Sequence, residues 1–406
     1  MQCGLLGRKL GHSYSPQIHG LLGSYDYKLF EKEPEDVGDF LKNGDFTGVN
    51  VTIPYKKDVI PYLSQLSPVA KRLGAVNTIV RRQDGSLIGH NTDYFGFQYL
   101  VERSGLTVSG KKVLVLGSGG ASNTAVAVLR ELGAQVVVIS RSGENNYHNL
   151  HLHRDASVIV NTTPVGMYPN TGVSPIDLNL FPQLEGVLDV VYNPARTQIL
   201  LDAEKRGLVA MNGLWMLVAQ AKESAEWFTG SAIDQNKIPE IHGCLRRQME
   251  NIVLIGMPGC GKSTIGRLLA QETGKQFVDA DEALEARLGR KITDIIPQDG
   301  EAAFRRMESD TLSELGKQSG LVIATGGGCV TQQRNYPLLH QNGTIFFLTR
   351  QLHKLATEGR PLSQPGKMQQ MYAQRQPLYR QFADVEISND GPVEETLRAI
   401  RSALGE

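Results

Sequence analysis

Two glycine-rich loops in this sequence have the composition to cradle phosphate, and they differ in kind. Gly256-Met257-Pro258-Gly259-Cys260-Gly261-Lys262-Ser263-Thr264 has the spacing in which backbone N–H groups and a lysine hold the phosphates of ATP while a serine hydroxyl ligands Mg²⁺. Gly259, Gly261, Lys262, Ser263 and Thr264 are therefore candidate nucleotide contacts, and Ser263 a candidate metal ligand. Gly117-Ser118-Gly119-Gly120-Ala121 has no lysine and follows the strand-like run Lys112 to Leu116. Its glycines would let a dinucleotide pyrophosphate approach the backbone at a helix N-terminus. Such a turn also occurs as a plain strand-to-helix connection, so alone it is a weak signal. The next strand-like run ends Ile139-Ser140-Arg141-Ser142, without an acid to take a ribose 2′-hydroxyl. Arg141 suits a 2′-phosphate, which favours NADP over NAD.

The elements that must position these loops are legible from hydrophobic runs. Val49 to Ile53, Val113 to Leu116, Val136 to Ile139, Val158 to Val160, Ile252 to Ile255, Val322 to Ala324 and Ile345 to Leu348 are short, apolar and mostly β-branched. Helical stretches separate them, which predicts an α/β fold with parallel sheets covered on both faces. The polar, proline-containing stretch 233–250 is the expected linker, and Gly105 to Gly110 marks a weaker boundary. Met211 to Thr229 carries apolar residues at helical spacing and is expected to return onto the N-terminal unit.

Composition narrows the partners. The 406 residues are enough for two to three domains. Lys plus Arg total 42 and Asp plus Glu total 42, so no overall field favours nucleic acid or an anionic membrane. Small molecules are the expected partners. The four cysteines are scattered without metal-ligand spacing, which points to a reducing compartment. Met1 to Gly7 lacks the basic-then-apolar pattern of a signal, and no apolar run reaches membrane-spanning length, so a cytoplasmic location is expected.

Four further motifs give the first half its meaning: His12-Ser13-Tyr14-Ser15-Pro16, Asn50-Val51-Thr52-Ile53-Pro54-Tyr55-Lys56, Ala75-Val76-Asn77-Thr78 and Asn91-Thr92-Asp93-Tyr94-Phe95-Gly96. Together they resemble shikimate dehydrogenase across residues 1–232. The resemblance implies a substrate lobe (1–104 with 212–232) and a Rossmann-like NADP lobe (105–211). It implies Lys56 and Asp93 as the catalytic pair, with Ser13, Ser15, Thr52, Asn77 and Gln220 around the substrate. Downstream matches at Asn161 to Met167, Tyr192-Asn193-Pro194 and Asn212 to Met216 imply Thr162, Gly213 and Met216 beside the nicotinamide and Tyr192 beside the substrate. The chemistry agrees, because reducing a ketone needs hydride at carbon and a proton at the developing alkoxide, and lysine beside a carboxylate supplies that proton. The chain departs from the family between Arg141 and Ala156, where a helix-strand passage is trimmed. His151 and His153 in that segment lack supporting acid or cysteine ligands and read as loop residues.

The second half resembles shikimate kinase over residues 251 to about 400, on the phosphate loop, Phe277-Val278-Asp279-Ala280-Asp281, Phe304-Arg305-Arg306-Met307-Glu308 and Ala324-Thr325-Gly326-Gly327-Gly328. The resemblance implies that Lys262 neutralises the transferred phosphate, that Ser263 and, through water, Asp279 position Mg²⁺, and that Asp281 orients or deprotonates the acceptor hydroxyl. Arg305 and Arg375 would clamp a carboxylate, which the planar guanidinium fork fits bidentately, with Gly327 and Gly328 adding backbone contacts. Arg305 can equally be a helix-surface partner of Glu308 at i, i+3. Arg360 in Arg360-Pro361-Leu362 matches the lid signature, whereas the family's earlier lid-side arginine has no clear counterpart. The expected whole is bifunctional: NADPH-dependent reduction of 3-dehydroshikimate to shikimate, then ATP-dependent phosphorylation to shikimate 3-phosphate, on the route to aromatic amino acids. A quinate or other hydroxy-acid dehydrogenase joined to a related kinase, or one non-catalytic nucleotide-binding half, are the alternatives.

Overall fold

The computed structural model describes residues 1–11, 13–355 and 365–405, without the side chains of 365–367. His12, Arg360, Pro361 and Leu362 lie outside the described residues. The chain divides into two compact units, Met1–Val165 with Ser174–Tyr192 and Ile199–Cys244, and Gly166–Val173 with Asn193–Gln198 and Leu245–Glu406. No described helix is long and apolar enough to cross a membrane.

The first unit contains two sheets. β1 (Gln2–Gly7), β2 (Asp26–Glu31), β3 (Gly48–Val51), β4 (Gln65–Leu66), β5 (Thr78–Arg81) and β6 (Leu87–His90) form one, in the order β2-β1-β3-β5-β6-β4. This sheet is mixed, not parallel as the apolar run at Val49 suggested: β5 runs antiparallel to both β3 and β6. The reason is local. Asp84 and Gly85 turn the chain tightly between β5 and β6, with Gly85 at φ +84° and the Asp84 carboxylate accepting from Ser86 N–H at 2.9 Å. Leu6, Val49, Val51, Tyr55 and Ile79 bury the inner face.

The second sheet comprises β7 (Lys112–Leu116), β8 (Gln135–Ile139), β9 (Val158–Asn161), β10 (Gly186–Asp189) and β11 (Val209–Met211), ordered β11-β10-β9-β7-β8 and all parallel. Side chains alternate along β7, so Val113 and Val115 enter one core with Val158, Val160 and Leu188, while Leu114 and Leu116 enter another with Ile159 and Val187. Burial on both faces explains why the run is continuously apolar, each such side chain contributing about 1.5–3 kcal/mol. Chain order reverses between β7 and β9, and the glycine loop lies at that switch point, where doubly wound sheets open a ligand crevice. The trimmed passage is real: from β8 to β9 the chain makes only a 3₁₀ turn, Leu150–His153, with no additional strand.

The second unit holds β12 (Asn251–Ile255), β13 (Gln276–Asp279), β14 (Leu321–Ala324), β15 (Gly343–Thr349) and β16 (Val385–Ser388), parallel in the order β13-β14-β12-β15-β16. Central β12 is buried throughout and delivers the chain into the lysine-bearing loop. The stretch expected to be a linker contains a helix, Lys237–Met249. Pro239 falls in its first turn, where a missing N–H costs no intrahelical bond.

Candidate active sites

In the first unit, Lys56 lies in the turn after β3, where its carbonyl accepts from Val76 N–H at 2.8 Å. Asp93 opens the helix Asp93–Ser104, where the helix dipole favours a carboxylate. The two elements bring Lys56 Nζ to donate to Asp93 Oδ2 at 2.6 Å, with both side chains still partly exposed. A cavity of about 350 Å³ opens on this pair, lined also by Ser13, Ser15, Thr52, Asn77, Tyr192 and Gln220. Ala121, Gly213 and Met216 border the same cavity, so the expected substrate contacts and part of the expected nucleotide set meet in one place. Burial, and then the neighbouring Tyr14, pushes the Tyr192 phenol above its ordinary pKa, keeping it a neutral hydrogen-bonding group.

A buried polar network supports that cavity. Asn77 Oδ1 accepts from Thr92 N–H at 2.7 Å, and Asn77 Nδ2 donates to Thr92 Oγ1 at 3.0 Å. Asn50 Nδ2 donates to Ser224 Oγ at 2.8 Å, to Thr78 Oγ1 at 3.0 Å and to the Asn77 carbonyl at 3.2 Å. Ser224 Oγ also lies 2.9 Å from Thr92 Oγ1. Asn77 is thus held directly by Thr92 and Asn50, and through them by Ser224. The first two stood in quoted motifs without an assigned role, and the third had no local signal, being 174 residues from Asn50.

The glycine loop has backbone and packing that require glycine at its first position. Gly117 sits at φ +109°, and a Cβ there would come within 2.8 Å of Thr162 Oγ1, so a side chain is excluded by both backbone and packing. Thr162 Oγ1 is engaged as a donor to the Leu116 carbonyl at 2.6 Å. At Gly119 and Gly120 a Cβ would meet nothing within 4 Å. Space beside these two residues, at the start of the helix Gly120–Glu131, fits the approach of a bulky anion. Ser118 lies between Gly117 and this space in the chain. Gly213 needs its missing side chain, because a Cβ would lie 2.1 Å from the Val190 carbonyl. Arg141 is exposed beyond the end of β8 and does not border the cavity. His153 Nε2 is 2.9 Å from Asn145 Oδ1, and no cluster of three or more metal-ligating side chains exists among the described residues.

In the second unit, Lys262 starts the helix Lys262–Thr273 after Gly261, which caps it at φ +99°. Its ammonium is buried and donates to the carbonyls of Gly256 at 2.9 Å and Met257 at 3.1 Å. Ser263 Oγ donates to Asp279 Oδ2 at 2.7 Å, and Asp279 also caps the next helix by accepting from Asp281 N–H at 3.1 Å. These hard oxygens at the mouth of a phosphate loop suit Mg²⁺, which takes one or two protein oxygens beside substrate phosphates. Gly259 and Thr264 belong to the same loop and helix start.

A cavity of about 470 Å³ joins Lys262, Ser263, Asp279 and Asp281 to Arg305, Glu308, Gly326 to Gly328 and Arg375. Burial raises the Asp281 carboxyl above its usual range, and nearby Asp279 adds to this against the pull of Lys262 and Arg305. Arg305 lines the cavity while its Nη1 donates to Glu308 Oε2 at 2.8 Å, so the i, i+3 pair forms, inside the cavity wall and not on the helix surface. Glu308 is itself buried in the cavity wall with its carboxyl raised by burial, a site residue the sequence had offered only as a helix partner. The three glycines make room for these groups. A Cβ at Gly326 would lie 2.6 Å from Asp281 Oδ1, one at Gly327 2.6 Å from Pro258 Cδ, and one at Gly328 2.3 Å from the Arg305 guanidinium. Arg375 Nη1 donates to the Gly327 carbonyl at 3.1 Å. Arg350, at the end of β15, comes within 3.6 Å of where a Gly261 Cβ would stand, placing a cation beside the phosphate loop.

Fold and sites together define a Rossmann-like unit with a lysine–carboxylate pair, followed by a P-loop unit with an arginine-lined cavity. The family model "Shikimate dehydrogenase substrate binding domain" matches residues 5–79, and that of "Shikimate kinase" matches residues 258–404. The shikimate dehydrogenase (NADP(+)) of Clostridium perfringens is 36% identical over 261 residues, covering 59% of this chain and 96% of that protein. Among solved structures, shikimate dehydrogenase 1 from Peptoclostridium difficile is 38% identical with a TM-score of 0.55, covering 60% of this chain and 97% of that one. Shikimate 5-dehydrogenase from Thermus thermophilus, in complex with NADP(H) and shikimate, is 32% identical with a TM-score of 0.55, covering 60% and 98%. The chain belongs to the shikimate dehydrogenase family and carries, fused after it, a domain of the shikimate kinase family.

Proposed function

We propose that the chain carries out two consecutive steps: reduction of 3-dehydroshikimate to shikimate with NADPH, then phosphorylation of shikimate to shikimate 3-phosphate with ATP. The observation supporting the reading is the pair of side-chain sets, Lys56 with Asp93 in one cavity and Lys262 with Asp281, Arg305 and Arg375 in the other. We assign the substrate lobe to 1–104 with 212–232, the NADP lobe to 105–211 and the phosphotransferase to 251–406.

In the first step, Gly117 to Ala121, Thr162, Gly213 and Met216 would hold NADP(H), with Arg141 on the 2′-phosphate. Bound NADPH supplies the hydride. Ser13, Ser15, Thr52, Asn77, Tyr192 and Gln220 hold the ring acid by its hydroxyls and carboxylate. The Lys56 ammonium donates its proton to the carbonyl oxygen as that oxygen becomes a hydroxyl, and Asp93 orients the ammonium.

In the second step, the new hydroxyl attacks the terminal phosphorus of ATP, and the bond from that phosphorus to ADP breaks. Asp281 accepts the hydroxyl proton, a task helped by a raised pKa that brings it nearer the working pH. Lys262 balances phosphate charge, and Gly259, Gly261 and Thr264 contribute the loop that surrounds it. Ser263 and Asp279 would hold Mg²⁺, which neutralises charge on the transferred group. Arg305 and Arg375 fix the acceptor carboxylate. The order follows from chemistry, since the ketone lacks the nucleophilic hydroxyl that reduction creates. One incubation with 3-dehydroshikimate, NADPH, Mg²⁺ and ATP tests the whole: NADPH loss matched by shikimate 3-phosphate is expected, and reduction with no phosphate ester refutes the second half.

A further inference from the structure

The kinase-type unit has a second opening beside the acceptor cavity, and no role above uses it. It is an open basin of about 770 Å³ bordered by Arg305, Arg306, Arg334 and Arg375, together with Gln332, Gln374 and Thr331. Four arginines and one acidic residue, Glu301, border it. Arg305 and Arg375 border both this basin and the inner cavity, so the two share a wall made of the pair assigned to the acceptor carboxylate.

The outer arginines differ in how far their charge is already committed. Arg305 donates to Glu308 at 2.8 Å and to Glu301 at 3.2 Å. Arg334 donates to Ser309 Oγ at 3.0 Å and to the Arg305 carbonyl at 3.2 Å, which stands it against the helix Glu301–Lys317 without spending its charge on a carboxylate. Arg306 is exposed, and its side chain has no hydrogen bond or ion pair among the described residues. The chain as a whole balances 42 basic against 42 acidic residues, so this excess of positive charge is local. A concave wall of one sign raises the local concentration of opposite charge, at a range set by a Debye length of about 8–10 Å.

We propose that this basin is an outer docking station for small carboxylate or phosphate anions, from which the acceptor passes to Arg305 and Arg375. That the anion is the ring acid rests on the proposed kinase reading; the station itself rests on the arginines. Arg306 supplies attraction and does not line the acceptor cavity.

Arginine footprinting of the full chain with phenylglyoxal, without nucleotide and at low ionic strength, tests the station independently of turnover. Inorganic phosphate and shikimate are the two probes. Either should slow labelling of Arg306 several-fold while exposed Arg398 labels unchanged, and protection by neither overturns the station. Protection by phosphate in a chain that does not phosphorylate shikimate upholds the station and rejects the kinase reading alone. Steady-state phosphorylation tests the route. Arg306→Gln should raise KM for shikimate about fivefold at low ionic strength, leave kcat and KM for ATP unchanged, and converge on the parent as salt rises. Arg306→Lys, which keeps the charge, should leave KM for shikimate close to the parent value. Equal KM values for parent and Arg306→Gln at every salt concentration overturn the passage of acceptor through the basin.

Discussion

Lysine occupies a decisive place in each site, but under different physical conditions. Lys56 is partly exposed and paired with one carboxylate at 2.6 Å, which suits a group that must give up a proton and recover it from solvent. Lys262 is buried and held by two backbone carbonyls, which suits a fixed charge waiting for phosphate. Lys56→Ala should therefore lower ketone reduction by about 10²–10⁴-fold with phosphorylation of added shikimate unchanged. Lys262→Ala should lower phosphorylation by about 10²–10³-fold and spare reduction; separate assays of the two half-reactions on each variant decide this. Asp281 adds a pH signature. Its carboxyl is raised by burial and by Asp279, so it picks up a proton at a higher pH than an ordinary aspartate. The acid limb of kcat/KM for phosphorylation should accordingly fall above the usual carboxylate range. A limb at the ordinary aspartate value, or one unmoved in Asp281→Asn, would count against Asp281 as the base.

Elements matter here through what they hold apart or bury. Gly328 immediately precedes the 3₁₀ turn Cys329–Thr331, and a methyl group there would displace the Arg305 guanidinium, a flexible tip rather than backbone. Gly328→Ala should leave a folded protein whose kcat/KM for the acceptor drops about 10–100-fold while KM for ATP holds; an equal loss for both substrates would place the damage elsewhere. In the dehydrogenase unit, the helix Ser15–Leu22 buries His19 against Tyr27, with ring centroids 4.0 Å apart, and His19 Nδ1 lies 2.6 Å from Tyr25 Oη. Burial lowers the His19 pKa from 6.5 to about 3. The unfolded chain thus binds this proton first, so stability is intact above pH 6.5 and lost as pH falls towards 3, with a slope of up to ~1.4 kcal/mol per pH unit. His19→Gln should flatten that slope in chemical denaturation run between pH 7 and pH 4.5, and an unchanged slope would refute the assignment.

These cases also show what was legible in the sequence. Gly117, Lys262 and the strands before them were visible because phosphate loops are local in sequence and fully buried parallel strands read as apolar runs. Mixed pairing of β5 was hidden, because Thr78 to Arg81 is short and only half buried. The helix Lys237–Met249 was hidden because its proline reads as a breaker unless the helix start is known. Ser224 was hidden most deeply, since its meaning comes from Asn50 and Thr92 across the sheet, and no spacing rule reports a contact of that range.

At the scale of the molecule, each set of site residues comes from one compact unit. Ser13, Lys56, Asn77, Asp93, Tyr192 and Gln220 fall within the first, and Lys262, Asp281, Arg305 and Arg375 within the second. No described side chain is shared between the two lists, so inactivating one site in one chain leaves the other chemistry whole. A mixture of Lys56→Ala and Lys262→Ala chains should therefore convert 3-dehydroshikimate to the phosphate ester, because shikimate released by one chain serves the other. The test compares that mixture with the parent at equal concentrations of each active site, using isotopically labelled 3-dehydroshikimate and a pool of unlabelled shikimate. Two sites that communicate only through solution give the same lag in both samples and the same dilution of label in the product. A parent enzyme whose product escapes dilution, while the mixture's product does not, would show transfer within the chain and end the case for independent sites.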